Sequence, residues 1–313
     1  MNHIKFFKDI SKKNVDIAGG KGASLGEMTR AGIPVPPGFV ITASAFDRFV
    51  KETELGAEID SLVHELNYHD IARVEFASER IRDLIHDAKT PKDLETEITK
   101  AFKQLKAKLV AVRSSATAED LSQASWAGEL ESYLNTTSKT LLDNVKQCWS
   151  SLFTPRALVY RNEKGMHKSY VSVAVVVQKM VESKVAGVSF TVHPVTKDKH
   201  QMIIEAAWGL GEALVGGIVT PDSYVLDKRD WSLIDVNVSE QSKMIVRNGA
   251  SGTVERAVPV KIKHHQKITG KQITEIAKLC ARIEKHYGFP CDIEWAYEKK
   301  KFYIVQSRPI TTL

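Results

Sequence analysis

Three stretches of this 313-residue chain carry residue types suited to handling a polyphosphate. The first runs from Val110 to Asn135. It opens as a short apolar strand, Leu109 to Val112, and then turns polar with Arg113, Ser114, Ser115, Thr117, Glu119 and Asp120. An arginine offers a rigid, always charged fork of donors. Small hydroxyl residues and glycines let backbone N–H groups approach an anion. The plainer alternative is a strand followed by an N-capped helix, with Arg113 in an ordinary ion pair. The second stretch is Gly19-Gly20-Lys21-Gly22, between a strand-like Val15–Ala18 and a short helix that buries Leu25 and Met28 and stops at Gly32. Glycines before a helix N-terminus leave N–H groups and a positive dipole end facing the loop, and Lys21 adds a point charge. The spacing GxxxxGK[ST] is absent, so this is not a Walker A loop. A turn that merely needs glycine is the alternative here.

The third stretch is a C-terminal hairpin, Cys291 to Glu298 and Lys301 to Pro309. Alternation puts Asp292 and Glu294 on one face of the first strand. On the second it groups Tyr303, Val305 and Ser307, against Ile304, Gln306 and Arg308. Glu294 in an apolar strand needs a charge partner. A hard cation such as Mg²⁺ takes one or two carboxylates together with phosphate oxygens. Gln306 supplies a neutral oxygen and Arg308 a second phosphate clamp. The alternative is a buried Glu294–Arg308 ion pair across the hairpin.

The elements that must position these residues are legible around them. Residues 43 to 108 read as mostly helical scaffold. The clearest helix has Thr90 as N-cap, Pro91 in the first turn and Asp93 completing a capping box, with Leu94, Ile98, Ala101, Phe102 and Leu105 on one face. A helix near Leu141 to Phe153 follows, with Trp149 in its core face, and Arg156 and Arg161 then read as surface ion-pair partners. Tyr170 to Val181 is a β-branched run typical of a buried strand. Its end, Gln178-Lys179-Met180-Val181, is a hinge whose backbone groups suit a base edge. Two further strands, VAGVSFTV and QMIIEAAWG, flank the turn HPVTKDKH, in which His193 reads as non-catalytic. In the glycine-rich stretch Trp208 to Leu226, and just before it, Glu205 and Glu212 are candidate acidic groups. Residues 228 to 270 give no clear pattern. The last helix, Lys271 to Tyr287, has Thr269 and Gln272 as a capping pair and Gly288 as its stop.

Composition narrows the class. Apolar content of 43% and charged content of 26% are those of a soluble globular protein. No apolar run approaches the roughly 20 residues that span a bilayer, and the N-terminal segment lacks the pattern of a signal peptide. Three cysteines, Cys148, Cys280 and Cys291, form no CxxC pair. The expectation is a cytoplasmic protein with reduced thiols, and neither a disulfide framework nor a zinc knuckle. Net charge is +6, but the lysines are spread along the chain. The densest run, Lys299 to Lys301, falls at a hairpin turn. No nucleic-acid motif is present, and a polyanionic small molecule such as ATP needs only a few of these charges.

Four stretches together, GGKGASLGEM with IPVPPGFVIT, VAVRSSATAEDLSQASWAGELESYLN, EAAWGLGEALVGGIVTPDSY, and DIEWAY with KFYIVQSRPI, resemble the N-terminal nucleotide-binding domain of the phosphoenolpyruvate synthase and pyruvate, phosphate dikinase family. Rifampicin phosphotransferase and phenylphosphate synthase subunits share that domain. The resemblance covers nearly the whole chain, with the motifs in the expected order. It implies an α/β (α+β) ATP-grasp fold whose two lobes clamp ATP. Residues 1–182 would hold the Gly-rich loop and the RSSATAED segment, and residues 183–313 the Mg²⁺- and phosphate-binding hairpin. By the same resemblance Lys21 and Arg113 match phosphate-contacting residues, Glu294 and Gln306 match Mg²⁺ ligands, and Arg308 matches the arginine that stabilises charge on the transferring phosphates. Gln178 to Val181, with Met180 and Val181 at its end, resembles the adenine-binding segment, and Gly128 the small residue of the loop over the phosphates.

There are departures. The family's SFAGQ is here Ser125-Trp126-Ala127-Gly128-Glu129. None of the ten histidines sits in a TSHAA-like motif, and the pyruvate-binding barrel has no counterpart. The implied activity is therefore an ATP-binding subunit or domain of a phosphohistidine-relay phosphotransferase. It passes the βγ-phosphates of Mg²⁺-ATP to a histidine on a separate or removed swivelling domain and releases AMP, with the small-molecule acceptor bound by a further domain. A direct kinase or ligase that forms ADP is the first alternative and a non-catalytic nucleotide-binding module the second. No nucleic-acid or membrane partner is expected.

Overall fold

The computed structural model describes residues 3–117, 131–165, 171–249 and 252–311. The chain divides into two units. The first comprises Met1–Glu27 and Pro37–Met180, the second Met28–Pro36 and Val181–Leu313. All strand pairs among the described residues are antiparallel, in a mixed α and β architecture.

In chain order the first unit holds β1 (Ile4–Phe6), most of α1 (Val15–Arg30), β2 (Gly38–Ile41), α2 (Ala43–Glu52), α3 (Gly56–His64), α4 (Ile71–Asp87), α5 (Lys92–Leu105), β3 (Val110–Ala116), β4 (Ser132–Thr136), α6 (Leu141–Ser150), α7 (Pro155–Glu163) and β5 (Val173–Lys179). Its sheet runs β1-β2-β5-β3-β4. One face carries Phe39, Ile41, Val110, Val112, Val175 and Val177 into a core shared with the helices, where Trp149 is fully buried. The faces of α5 and α6 pack as their 3.6-residue spacing requires.

Three local expectations change. Val15–Ala18 is the start of α1, not a strand; Gly19 kinks the helix with φ 66°. The helix α5 has Pro91 at its N-cap with no side-chain cap bond. Thr90 is buried and Asp93 is drawn off to Arg48 at 2.8 Å, so neither closes a capping box. Arg161 is buried at 7% exposure, not on the surface, and burial lowers its pKa.

The second unit holds β6 (Val185–Phe190), β7 (Gln201–Trp208), α8 (Glu212–Val215), β8 (Asp222–Asp227), β9 (Leu233–Asn237), β10 (Lys243–Arg247), β11 (Thr253–Ala257), α9 (Gly270–Tyr287), β12 (Cys291–Glu298) and β13 (Lys301–Pro309). Its main sheet runs β13-β12-β6-β7-β8-β9, with β10 and β11 as a separate ribbon. Ile304 N donates to Pro34 O at 2.9 Å, which ties the segment after α1 to the edge strand β13. The capping box of Thr269 and Gln272 is present on α9, and Gly288 ends it in the left-handed region. Ile273, Ile276, Ala277, Cys280 and Ile283 bury its inner face. Trp295 lies against Gly187, where any Cβ would meet the indole at 2.2 Å. No helix among the described residues is long and apolar enough to cross a membrane.

Candidate functional site

The polar end of β3 keeps strand geometry through Ala116, longer than Leu109–Val112. Its alternation therefore sorts the polar residues by face. Ser114 points to the core side, where its Oγ donates to Glu131 O at 2.9 Å and meets Ser151 Oγ at 2.8 Å. Arg113 and Ser115 point to the other side, together with Val176 and Gln178 of β5. Ser115 is the anchor of the glycine loop. Its hydroxyl donates to Ala18 O at 2.9 Å and accepts from Gly22 N at 3.3 Å. At Gly19 a Cβ would lie 2.2 Å from Ser115 Oγ and 2.3 Å from Ser115 O. Only glycine fits, because the kink both needs positive φ and presses backbone on backbone. Lys21 lies within this anchored loop, and Arg113 lies two residues before the anchor. Both charges act on the buried Cys148 thiol, whose pKa burial nevertheless pushes up to about 12.

The hairpin β12–β13 turns on two residues, Lys299 and Lys300, both at positive φ (50° and 63°). From this turn Trp295 pairs with Ile304, yet Glu294 pairs with Gln306 and Asp292 with Arg308. Val305 is the extra residue of a β-bulge. The bulge inverts the side-chain faces beyond it. Without it Glu294 would face Val305, and Gln306 and Arg308 would turn to the side of Ile293 and Trp295. The expected grouping of Ile304 with Gln306 and Arg308 fails for this reason. Ile304 joins Trp295 and Ser307, and Tyr303 joins the polar face.

Arg308 has a second carboxylate, Asp292, as a partner on this face. Arg308 Nε donates to Asp292 Oδ2 at 2.9 Å, and Nη2 lies 2.8 Å from the same oxygen. Asp292 Oδ1 is buried without a hydrogen-bond partner among the described residues. Burial raises the pKa of Asp292, Arg308 pulls it back, and the charge of Glu294 raises it further. Glu205 lies on the same sheet face, and its pKa is raised by burial and then by Asp292.

Arg113 and Gln178 thus share one sheet face in the first unit, with Gln178 2% exposed, and the glycine loop that carries Lys21 is anchored on that face through Ser115. Glu294, Gln306 and Arg308 share one face in the second unit. Met180, which bonds Leu109 O through its N–H, ends the first unit, and buried Val181 opens the second. Gly128, with Glu119, Asp120, Trp126 and Glu129, lies outside the described residues. His193 is a turn device: its Nδ1 accepts from Val195 N and Thr196 N, both at 3.2 Å. Sequence reasoning gave Asp292 no role; its two-residue offset from Glu294 was the available signal.

The donor set of the hairpin, one carboxylate opposite one amide oxygen, is hard and oxygen-only. Among the described residues no group of three His, Cys, Asp or Glu is placed to hold a metal. The pair therefore fits Mg²⁺ that completes its shell with phosphate oxygens and water, and does not fit a thiolate or imidazole metal.

Comparison with known proteins gives the family. The family model described as pyruvate phosphate dikinase, AMP/ATP-binding domain, matches residues 15–313. A probable phosphoenolpyruvate synthase of Methanocaldococcus jannaschii is 46% identical over 320 aligned residues, covering 100% of this chain and 27% of that protein. A second, of Archaeoglobus fulgidus, is 46% identical over 316 residues, with coverage of 99% and 42%. The phosphoenolpyruvate synthase of Pyrococcus furiosus is 41% identical over 359 residues, with coverage of 99% and 44%. The chain spans between 27% and 44% of the length of these three relatives.

Proposed function

The chain belongs to the pyruvate phosphate dikinase AMP/ATP-binding domain family, and from that membership we propose that it is the ATP-grasp part of a phosphohistidine-relay phosphotransferase. Its two units are the lobes that clamp ATP. The observation that carries this reading is the bulged hairpin, which sets Glu294 opposite Gln306 and Arg308 on the same face.

In this reading the Val181 N–H and the C=O groups at the end of the Gln178 to Val181 segment bond the base edge, because the N–H groups of Lys179 and Met180 already donate to Pro37 O and Leu109 O. Lys21 and Arg113 hold phosphate oxygens as a point charge and a fork. Glu294 and Gln306 hold Mg²⁺, which when bound neutralises charge on the βγ-phosphates. Arg308, fixed by Asp292, meets the charge that grows on the transferring group. A histidine on another domain attacks the β-phosphorus. An N–P bond forms, the bond from that phosphorus to the oxygen of AMP breaks, and AMP leaves. A neutral imidazole is already a nucleophile, so no general base is required of this chain. The acceptor histidine and the pocket for the small-molecule acceptor belong to further domains. The greater length of the relatives supports this assignment.

The test uses ATP labelled at the β-phosphate, Mg²⁺, the purified chain and a lysate of its source cells. An acid-labile label on another protein, dependent on this chain and accompanied by AMP, is the expected result. ADP without a labelled protein instead points to a direct kinase, and neither product with tight ATP binding favours a regulatory module or a domain cut from its own carrier.

A further inference from the structure

Pairing across the second sheet lines up one row of residues on the hairpin's polar face: Gln306 of β13, Glu294 of β12, Val188 of β6, Glu205 of β7 and Ser223 of β8. Glu205 is the only acid in β7. Its same-face neighbours along the strand are Ile203 and Ala207, and Val188 stands beside it across the sheet. A carboxylate in such surroundings is retained at a cost unless something donates to it. Yet among the described residues the half-buried Glu205 carboxylate takes no hydrogen bond and no ion pair. After burial, the charge that acts on it is Asp292, of the same sign, whose Oδ1 is itself buried and without a hydrogen-bond partner among the described residues.

Two kinds of ligand answer an unsatisfied carboxylate, a cation or a hydroxyl donor. No three acidic groups converge on one point among the described residues, which disfavours a cation shared with Asp292 and Glu294. Two strand spacings separate β7 from β12, about 10 Å. That is the order of the separation between the sugar and the outer phosphates of an extended nucleoside triphosphate. A carboxylate has the two oxygens needed to accept from a vicinal diol.

We infer that Glu205 accepts hydrogen bonds from the ribose hydroxyls of the nucleotide whose phosphates reach Glu294 and Gln306, and so selects ribonucleotides over deoxyribonucleotides. The inference rests on the nucleotide site proposed above and adds a positioning residue to it.

The test measures the affinity of the 313-residue chain for ATP, 2′-deoxy-ATP and 3′-deoxy-ATP in Mg²⁺ by calorimetry, for the wild type, Glu205→Gln and Glu205→Ala. The wild type loses about ten-fold on removal of a ribose hydroxyl, the scale of one hydrogen bond to a charged acceptor. In Glu205→Ala ATP binds more weakly and the ratio falls to within about two-fold. Glu205→Gln keeps the shape and one neutral acceptor, so its ratio is intermediate, and it carries the test if the alanine variant fails to fold. A general loss of stability lowers all three affinities together and leaves the ratio alone. A wild type indifferent to both hydroxyls, or the same ratio in every variant, overturns the inference while the nucleotide site stands. A folded wild type that binds no ATP overturns both.

Discussion

Glu294 and Gln306 stand directly opposite each other in the β12–β13 hairpin, on the far side of the bulge at Val305 from the Lys299–Lys300 turn. The turn alone sets a register in which Gln306 belongs to the other face. One extra residue, Val305, therefore converts an ordinary hairpin into one that gathers Asp292, Glu294, Gln306 and Arg308 on a single side. Bulges recur beside functional sites because they re-aim side chains without changing which strands pair.

Asp292 and Arg308 make the first prediction. Arg308→Ala abolishes transfer of the β-label while ATP binding is largely kept. The same change strips a buried carboxylate of its cation. Arg308 is 37% exposed, so solvent screens part of that cost, and the expected loss is about 1 kcal/mol of unfolding free energy. Adding Asp292→Asn removes the stranded charge. Urea midpoints of the two variants are the measurement: the double variant recovers stability without recovering transfer. Recovery of both would show that Arg308 acts only as a counter-ion.

The second prediction concerns a network with no part in the proposed chemistry. Asp222 Oδ1 accepts from Lys267 Nζ at 2.7 Å and Ser239 N at 3.0 Å, and Oδ2 from Lys267 N at 2.8 Å and Tyr224 OH at 2.7 Å. The Asp222 and Lys267 side chains are both 0% exposed. Asp222→Ala leaves a buried ammonium and three other donors without their acceptor. The expected cost is roughly 3–5 kcal/mol. Lys267→Met combined with Asp222→Ala costs much less than the two single changes summed. Additive costs in a double-mutant cycle would mean that the pair is not coupled.

Much of this molecule is legible in its sequence where local chemistry decides. The capping box and glycine stop of α9, the core face of α5 and the burial of Trp149 follow from side-chain spacing alone. What failed did so through long-range contacts. The start of α1 reads as a strand because Val15 and Ile17 are β-branched, but Gly19 allows a kink that docks the helix on Ser115, 93 or more residues away. Asp93 has the sequence of a capping residue, and Arg48 takes it. The partner of Arg308 turned on a bulge that alternation does not reveal. The sequence offers Glu205 only as a candidate acidic group beside the glycine-rich stretch; its row with Glu294 exists only once β6 lies between them.

His86 sets the third prediction. Its Nε2 lies 3.2 Å from Ser150 Oγ, and its pKa is lowered from the ordinary histidine value of 6.5, first by burial and then by the charges of Lys146 and Arg82. For a base with a depressed folded pKa, the unfolded chain takes up the proton first as pH falls. Stability is full above the unfolded value of 6.5 and is lost as pH drops from there through the folded value. Thermal midpoints between about pH 7.5 and pH 5.5, above the ordinary carboxylate range, are expected to fall for the wild type and to stay flatter for His86→Gln. Parallel slopes would assign the acid sensitivity elsewhere.

Gly19 and Gly32 give a matched pair for the fourth prediction. Both have positive φ, 66° and 68°. A Cβ at Gly32 meets nothing within 4 Å, whereas at Gly19 it collides with the backbone and hydroxyl of Ser115. Gly32→Ala therefore costs only the left-handed backbone penalty, about 1–2 kcal/mol. Gly19→Ala costs that penalty and also forces the loop off β3, because a backbone carbonyl 2.3 Å away cannot rotate aside. Ser115 then loses its bonds to Ala18 and Gly22, and the loop that carries Lys21 is no longer held on β3. Unfolding midpoints and ATP affinity are measured on both variants. Both lose stability, but only Gly19→Ala loses affinity, by ten-fold or more if the phosphate contact of Lys21 is worth about 1.4 kcal/mol or more. If the two variants bind ATP equally well, the glycine loop is a structural turn and Lys21 has no place in the nucleotide site.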